Sequence, residues 1–126
     1  FQCWYHIINN EFFCIFPKKL MYHYFSEKDF KKCSPPCSMQ DMNDSFLKKL
    51  DEARLRADIP FVLTSAYRTY GHEAVDIRAT SSMERFKIIK ALIEVGFNRI
   101  GIGKTFIHVD DDTDKPKNVM FHYYKD

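Results

Sequence analysis

Charge of one sign, long apolar runs and repeats are all scarce in this 126-residue chain, and each scarcity removes a class of function. Nineteen Lys and Arg stand against 17 Asp and Glu, a net charge of +2 at neutral pH. The basic residues are scattered and form no basic arm, so neither a nucleic-acid nor a membrane partner is expected. No stretch supplies the ~20 consecutive apolar residues of a membrane-spanning helix. The apolar opening, FQCWYHIINNEFFCIFPKKL, is interrupted by His6, Asn9, Asn10 and Glu11. It has neither the basic start nor the small-residue cleavage site of a secretory signal, so no export signal is expected there. Internal repeats and low-complexity segments are missing too.

Zinc-finger spacing is equally absent, although four cysteines are present. Cys33-Ser-Pro-Pro-Cys37 has three residues between its sulfurs and no second Cys/His pair at matching spacing. A local disulfide, two free thiols and an accidental pair all remain open, with the Pro-Pro turn favouring proximity. Cys3 and Cys14 have no evident partners.

What is present describes a folded domain. Apolar residues make up 45% of the chain and aromatic residues 16%, enough for one modest core. Residues 1–20 read as an N-terminal extension, either an extra strand or helix or an upstream stretch ahead of a start at Met21. Residues 21–126 read as a single domain, expected to be a monomer.

Two helices stand out. In NDSFLKKLDEARLRADIP, Phe46, Leu50, Ala53 and Ala57 recur at helical intervals beside Leu47, with Asn43 or Asp44 as N-cap and Pro60 beyond the end. In TSSMERFKIIKALIEVGF, Ser81 and Glu84 fit a capping box and Gly96 stands where a C-cap belongs. Phe86, Ile89 and Ile93 form one apolar stripe of that helix, and Ile88, Leu92 and Val95 a second. FVLTSAYR suits a strand ending near Ser65, and AVDIRA alternates, with Val75 and Ile77 on one face and Ala74, Asp76 and Arg78 on the other. RIGIG, TFIHVDDD and NVMFHYY predict three closing strands. These strands lack crossover helices, so the expected fold is α+β, a mainly antiparallel sheet with two main helices packed on it.

In TFIHVDDD, His108 and Asp110 share one strand face, with Ile107 and Val109 behind them. An imidazole beside a carboxylate is good transition-metal chemistry, because the carboxylate can ligate, act as base or orient the ring. The run Asp110-Asp111-Asp112 lacks the spaced oxygens and glycine of a calcium loop.

The ordered set FSEKDF, helix, PFVLTSAYRT, AVDI, helix, GIGKTFIHVD resembles the zinc D-alanyl-D-alanine carboxypeptidase family. That family includes phage endolysins that cut peptidoglycan stem peptides, and the chain is most similar to its small phage-encoded members. The match runs from about Met21 to Tyr124. The resemblance implies a carboxypeptidase-like fold and a Zn2+ held by a His, an Asp and a late His. It also implies action on the bacterial cell wall, with a peptidoglycan stem peptide as partner. By position, Asp76 matches the Asp ligand, His108 the late His, and Arg68 an arginine aimed at the substrate's carboxylate or the oxyanion. The family's first His stands seven residues before the Asp, where this chain has Thr69, and the connection from SAYRT to AVDI is shortened. His72 replaces the missing ligand only if the chain bends sharply before Asp76; otherwise the site is damaged, or His23 or His122 swings in. The family's base, two or three residues before the late His, is replaced by Phe106 and Thr105. Asp110 is the nearest alternative and Glu73 the other. The expectation is a zinc peptidase with Arg68 and Asp110 as catalytic residues and His72, Asp76 and His108 on the metal. A degenerate domain that binds peptidoglycan without hydrolysis, and an interaction module with an accidental His/Asp pair, are the competing readings.

Overall fold

The computed structural model describes residues 4–8, 11–15, 22–69 and 72–125. In chain order the elements are strands β1 (Trp4–Ile8) and β2 (Glu11–Ile15), helices α1 (Glu27–Lys31) and α2 (Asp44–Ala57), strands β3 (Leu63–Thr69) and β4 (His72–Arg78), helix α3 (Ser82–Glu94), and strands β5 (Arg99–Ile102), β6 (Phe106–Asp110) and β7 (Val119–His122). β1 and β2 pair antiparallel as a two-stranded sheet, and the other five strands form one sheet in the order β3-β4-β6-β5-β7.

The α+β class agrees with expectation, but the sheet is mixed rather than mainly antiparallel. β5 and β7 run parallel, with Arg99 opposite Val119 and Ile102 opposite His122. The cause lies in the chain after β6. It leaves at the end where β5 begins, crosses β5, and starts β7 on the far side in the same direction as β5. Arg99 fastens that crossing segment, its Nη1 donating to the Pro116 carbonyl over 2.6 Å.

The helices begin and end where their caps dictate. Asn43 Oδ1 accepts the Ser45 amide at 2.8 Å, and α2 stops at Asp58, whose φ of 56° is left-handed. Ser81 Oγ accepts the Glu84 amide at 3.1 Å, and Gly96 at φ 101° closes α3 in a conformation that glycine adopts freely. Of the two α3 stripes, Ile88 and Leu92 are sealed in the core, while Phe86 and Ile93 stay 67% and 52% exposed. A helix lying on a sheet buries one face only, and of the other stripe only Ile89 is half-buried against the core. Among the described residues no helix is long and apolar enough to cross a membrane.

β3 runs on to Thr69 instead of stopping near Ser65, and β4 starts at His72. Only residues 70 and 71 separate the paired Thr69 and His72, so the shortened connection is absorbed into the ladder. The alternation along β4 and β6 then sorts the side chains. Val75 and Ile77 meet Val109 and Ile107 on the helix side, all of them at most 1% exposed. Each such aliphatic side chain contributes about 1.5–3 kcal/mol by leaving water. The opposite face carries Asp76 and His108. Cys33 and Cys37 are free thiols, and burial, with neighbouring Cys37, pushes the Cys33 thiol up to about 11.

Candidate functional site

Register alone brings the site together. Asp76 on β4 is the direct partner of His108 on β6, which faces Gly101 on β5, which faces Phe121 on β7. Side chains at directly opposed positions share a face within contact distance. His108 Nδ1 lies 2.9 Å from Asp76 Oδ1, and Nε2 lies 2.7 Å from Asp110 Oδ2. Asp110 is held in turn. Arg99 Nε donates to its Oδ1 at 2.7 Å and the Asp112 amide donates to the same oxygen at 3.0 Å. Arg99 and Asp110 are 6% and 5% exposed, so this ion pair lies out of solvent. A continuous polar row thus runs Arg99–Asp110–His108–Asp76, from the core edge to the surface.

The row sets the charge states. Burial works against protonation of His108, but hydrogen bonds to Asp76 and Asp110 and their negative charges outweigh it and raise the imidazole above its ordinary range. Burial also opposes ionisation of Asp110, yet the Asp112 amide, His108 and Arg99 together hold its carboxyl below the usual carboxylate value. The stabilisation from the raised His108 is complete below ~6.5, its unfolded value, and is lost as pH climbs through the folded value. That from Asp110 is present above ~3.9 and is lost as pH falls through the depressed folded value. The metal-free protein is therefore expected to be most stable between those limits. Urea midpoints measured across pH in a chelator should fall on both sides, and His108→Gln should remove the alkaline decline.

An aromatic wall stands beside the row. Phe121 and Tyr123 pack on His108 with ring centroids 5.9 and 6.0 Å away, and Tyr123 also meets Phe106 at 5.3 Å. The rings occupy the space that a side chain at position 101 would need. A Cβ on Gly101 would lie 2.6 Å from Phe121 Cε2 and 2.8 Å from Tyr123 Cε2. Gly101→Val is expected to cost about 1–3 kcal/mol in urea unfolding, the usual cost of overpacking, and to turn the rings off His108. A change within 0.5 kcal/mol would show the wall to be loosely seated. Together with Ala74, Asp112 and Lys115, the row apart from Asp76 and the rings of Phe121 and Tyr123 line a cleft of about 530 Å³.

The residues expected from sequence fall into three groups. Asp76, His108 and Asp110 come together. Asp110, however, is occupied by Arg99 and by His108 Nε2, which makes it an orienting carboxylate instead of a free base. His72 opens β4 four residues before Asp76, in an unbroken ladder from Thr69↔His72 to Leu63↔Ile77 that bulges only near Leu63. At ~3.3 Å per residue their Cα atoms stand ~13 Å apart, and the bend that ligation by His72 requires does not occur. Arg68 of β3 pairs with Glu73 of β4, a register position on the helix side of the sheet and not on the face of Asp76 and His108, and its side chain lies outside the described residues.

Glu73 sits on the helix side, 3% exposed, where its carboxylate accepts the Asn43 amide at the start of α2. That position gives it a structural task and no part in the cleft. His23 is tied through its amide to Asp51 of α2, on the same helix side. His122 alternates with Phe121 along β7 and accepts the Tyr124 amide at Nδ1, so it faces away from His108. Arg99, Gly101, Phe121 and Tyr123 went unnoticed in the sequence, although Arg99 and Gly101 in RIGIG share a strand face two residues apart.

Among the described residues no group of three His, Cys, Asp or Glu side chains is gathered to hold a metal ion. Two donors nevertheless suit one. Neighbouring ligands on a tetrahedral zinc stand roughly 3.3 Å apart, only a few tenths more than the 2.9 Å between Asp76 Oδ1 and His108 Nδ1. With Nδ1 on a metal, Nε2–H would donate to Asp110, the carboxylate–imidazole arrangement that typically backs a zinc-bound histidine. The chain matches no family model, no curated protein and no solved structure.

Proposed function

We propose that this chain is a zinc-dependent peptidase hydrolysing peptidoglycan stem-peptide bonds, of the D-Ala-D-Ala carboxypeptidase or endolysin endopeptidase kind, and phage-encoded. The observation that supports this reading most is the 2.9 Å contact between Asp76 and His108, 32 residues apart in sequence. These are the two positions that the sequence resemblance assigns to metal ligation. Bound zinc would supply an acidified water and polarisation of the scissile carbonyl. The protein's own residues do the rest. Asp110, clamped by Arg99, fixes the His108 ring with Nδ1 toward Asp76, and the cleft beside them admits a peptide.

A second reading, a peptidoglycan-binding domain without hydrolysis, is favoured by the straight course of β4 past His72, which leaves the zinc with two protein donors among the described side chains. Zinc titration by calorimetry and digestion of purified muropeptides separate the two. One zinc per chain with product release supports the peptidase, and muropeptide binding without product supports the second reading. Absence of zinc, binding and product together would reject both.

A further inference from the structure

The cleft is rich in acceptors and poor in available donors. Arg99 spends its guanidinium on Asp110 and the Pro116 carbonyl, and both ring nitrogens of His108 face carboxylates. Lys115 lies beside Asp112, Nζ 3.8 Å from Oδ2. Besides the Lys115 ammonium, which is too far from Asp112 for a hydrogen bond and stays 61% exposed, the phenol of Tyr123 is the donor that stands beside His108: it lines the same cleft, and its hydroxyl has no hydrogen-bond partner among the described residues.

The Tyr123 ring is packed on one side, while the residue as a whole stays 51% exposed. Its ring is wedged between Phe106 at 5.3 Å, Phe121 at 5.7 Å and His108 at 6.0 Å, over the gap left by Gly101. The Tyr123 amide donates to the Ile102 carbonyl at 3.0 Å, continuing the ladder beyond β7. Phenylalanine would satisfy every one of these contacts, so the hydroxyl adds nothing to the packing and is open to water or to an occupant of the cleft. A tyrosine packed by its ring on His108, with its hydroxyl unpartnered and its side chain lining the cleft, can donate to an occupant of that cleft.

We propose that Tyr123 is a catalytic residue whose hydroxyl donates a hydrogen bond to the scissile carbonyl oxygen of the stem peptide and to the oxyanion that develops on it. This rests on the peptidase reading above. At neutral pH a tyrosine keeps its proton, so the donor is ready without any change of state. The contact is expected to strengthen as the carbonyl oxygen gains charge, which places its effect on kcat more than on KM.

The test uses Tyr123→Phe in the full chain with a pentapeptide muropeptide as probe, following turnover, binding by calorimetry, zinc content and thermal midpoint. With wild-type turnover present, the variant should lose about 100-fold in kcat, with KM within about twofold. Zinc content and midpoint should be unchanged. A kcat within twofold of wild type overturns the proposal. A wild-type protein that binds the muropeptide without cutting it sinks the peptidase reading alone. The donor role then stands if Tyr123→Phe weakens binding about fivefold or more, and falls if binding is equal. A wild type that neither binds nor cuts overturns both.

Discussion

Arg99→Met is expected to lower the unfolding free energy by about 3–5 kcal/mol, the largest stability loss of any single substitution argued for this protein. The effect does not come from the attraction of one ion pair. Arg99 and Asp110 are 6% and 5% exposed, and removing the guanidinium leaves the Asp110 carboxylate buried without its countercharge. Two further contacts vanish with it. The Pro116 carbonyl loses its donor, which frees the segment that carries the chain across β5, and the Phe121 ring loses the guanidinium 5.3 Å from its centroid. Since a domain of this size is held by only ~5–15 kcal/mol, such a loss takes it close to unfolding at ambient temperature.

Urea unfolding of Arg99→Met, Asp110→Leu and the double variant checks the cause. The double variant should recover a large part of the loss, because an apolar pair leaves no charge behind. A single-variant loss under 1 kcal/mol would mean that the pair is effectively solvated.

The elements that announce themselves by period were legible. The α2 spacing Phe46, Leu50, Ala53, Ala57, its Asn43 cap, and the Val75/Ile77 alternation of β4 are local properties, fixed by neighbours a few residues away. So was the strand face that His108 shares with Asp110, whereas the pairing that puts Asp76 beside His108 came only with the strand register. The direction of β7 was not legible, since it depends on which edge the segment after Asp110 crosses, and nothing local to NVMFHYY encodes that choice.

The two helix stripes of α3 were equally apolar in sequence, and only packing against the sheet decided that Ile88 and Leu92 would be buried and Phe86 and Ile93 left out. Glu73 shows the same limit from the polar side. Next to His72 in sequence it looked like a second catalytic carboxylate, yet one step along a strand reverses the face, and it ends at the start of α2. Arg99 was hidden because a basic residue at the head of a short strand reads as a surface charge until its partner, 11 residues on, is seen beside it.

The second large expected effect concerns the metal. Asp76→Ala and His108→Ala should each reduce zinc binding from about one per chain to none detectable, whereas His72→Ala should leave it within about twofold of wild type. The contrast follows from strand geometry. Asp76 and His108 face each other across one rung of the ladder with donor atoms 2.9 Å apart, so removing either leaves a single donor, too few to retain zinc against water. His72 belongs to the same strand but lies four residues away in an unbroken ladder, ~13 Å along the backbone, beyond the convergence that bonds of ~2.0–2.2 Å demand. Asp110→Asn falls between these extremes. It keeps the shape of the His108 support but removes the charge that makes Nδ1 a better donor, and a 10–100-fold weaker zinc affinity is expected. Calorimetric titration of the four variants at fixed pH, each checked for folding by circular dichroism, reads the whole series. Loss of zinc in His72→Ala would require β4 to bend in the bound state. Zinc retained in both Asp76→Ala and His108→Ala would place the metal elsewhere, and the peptidase assignment would lose its principal support.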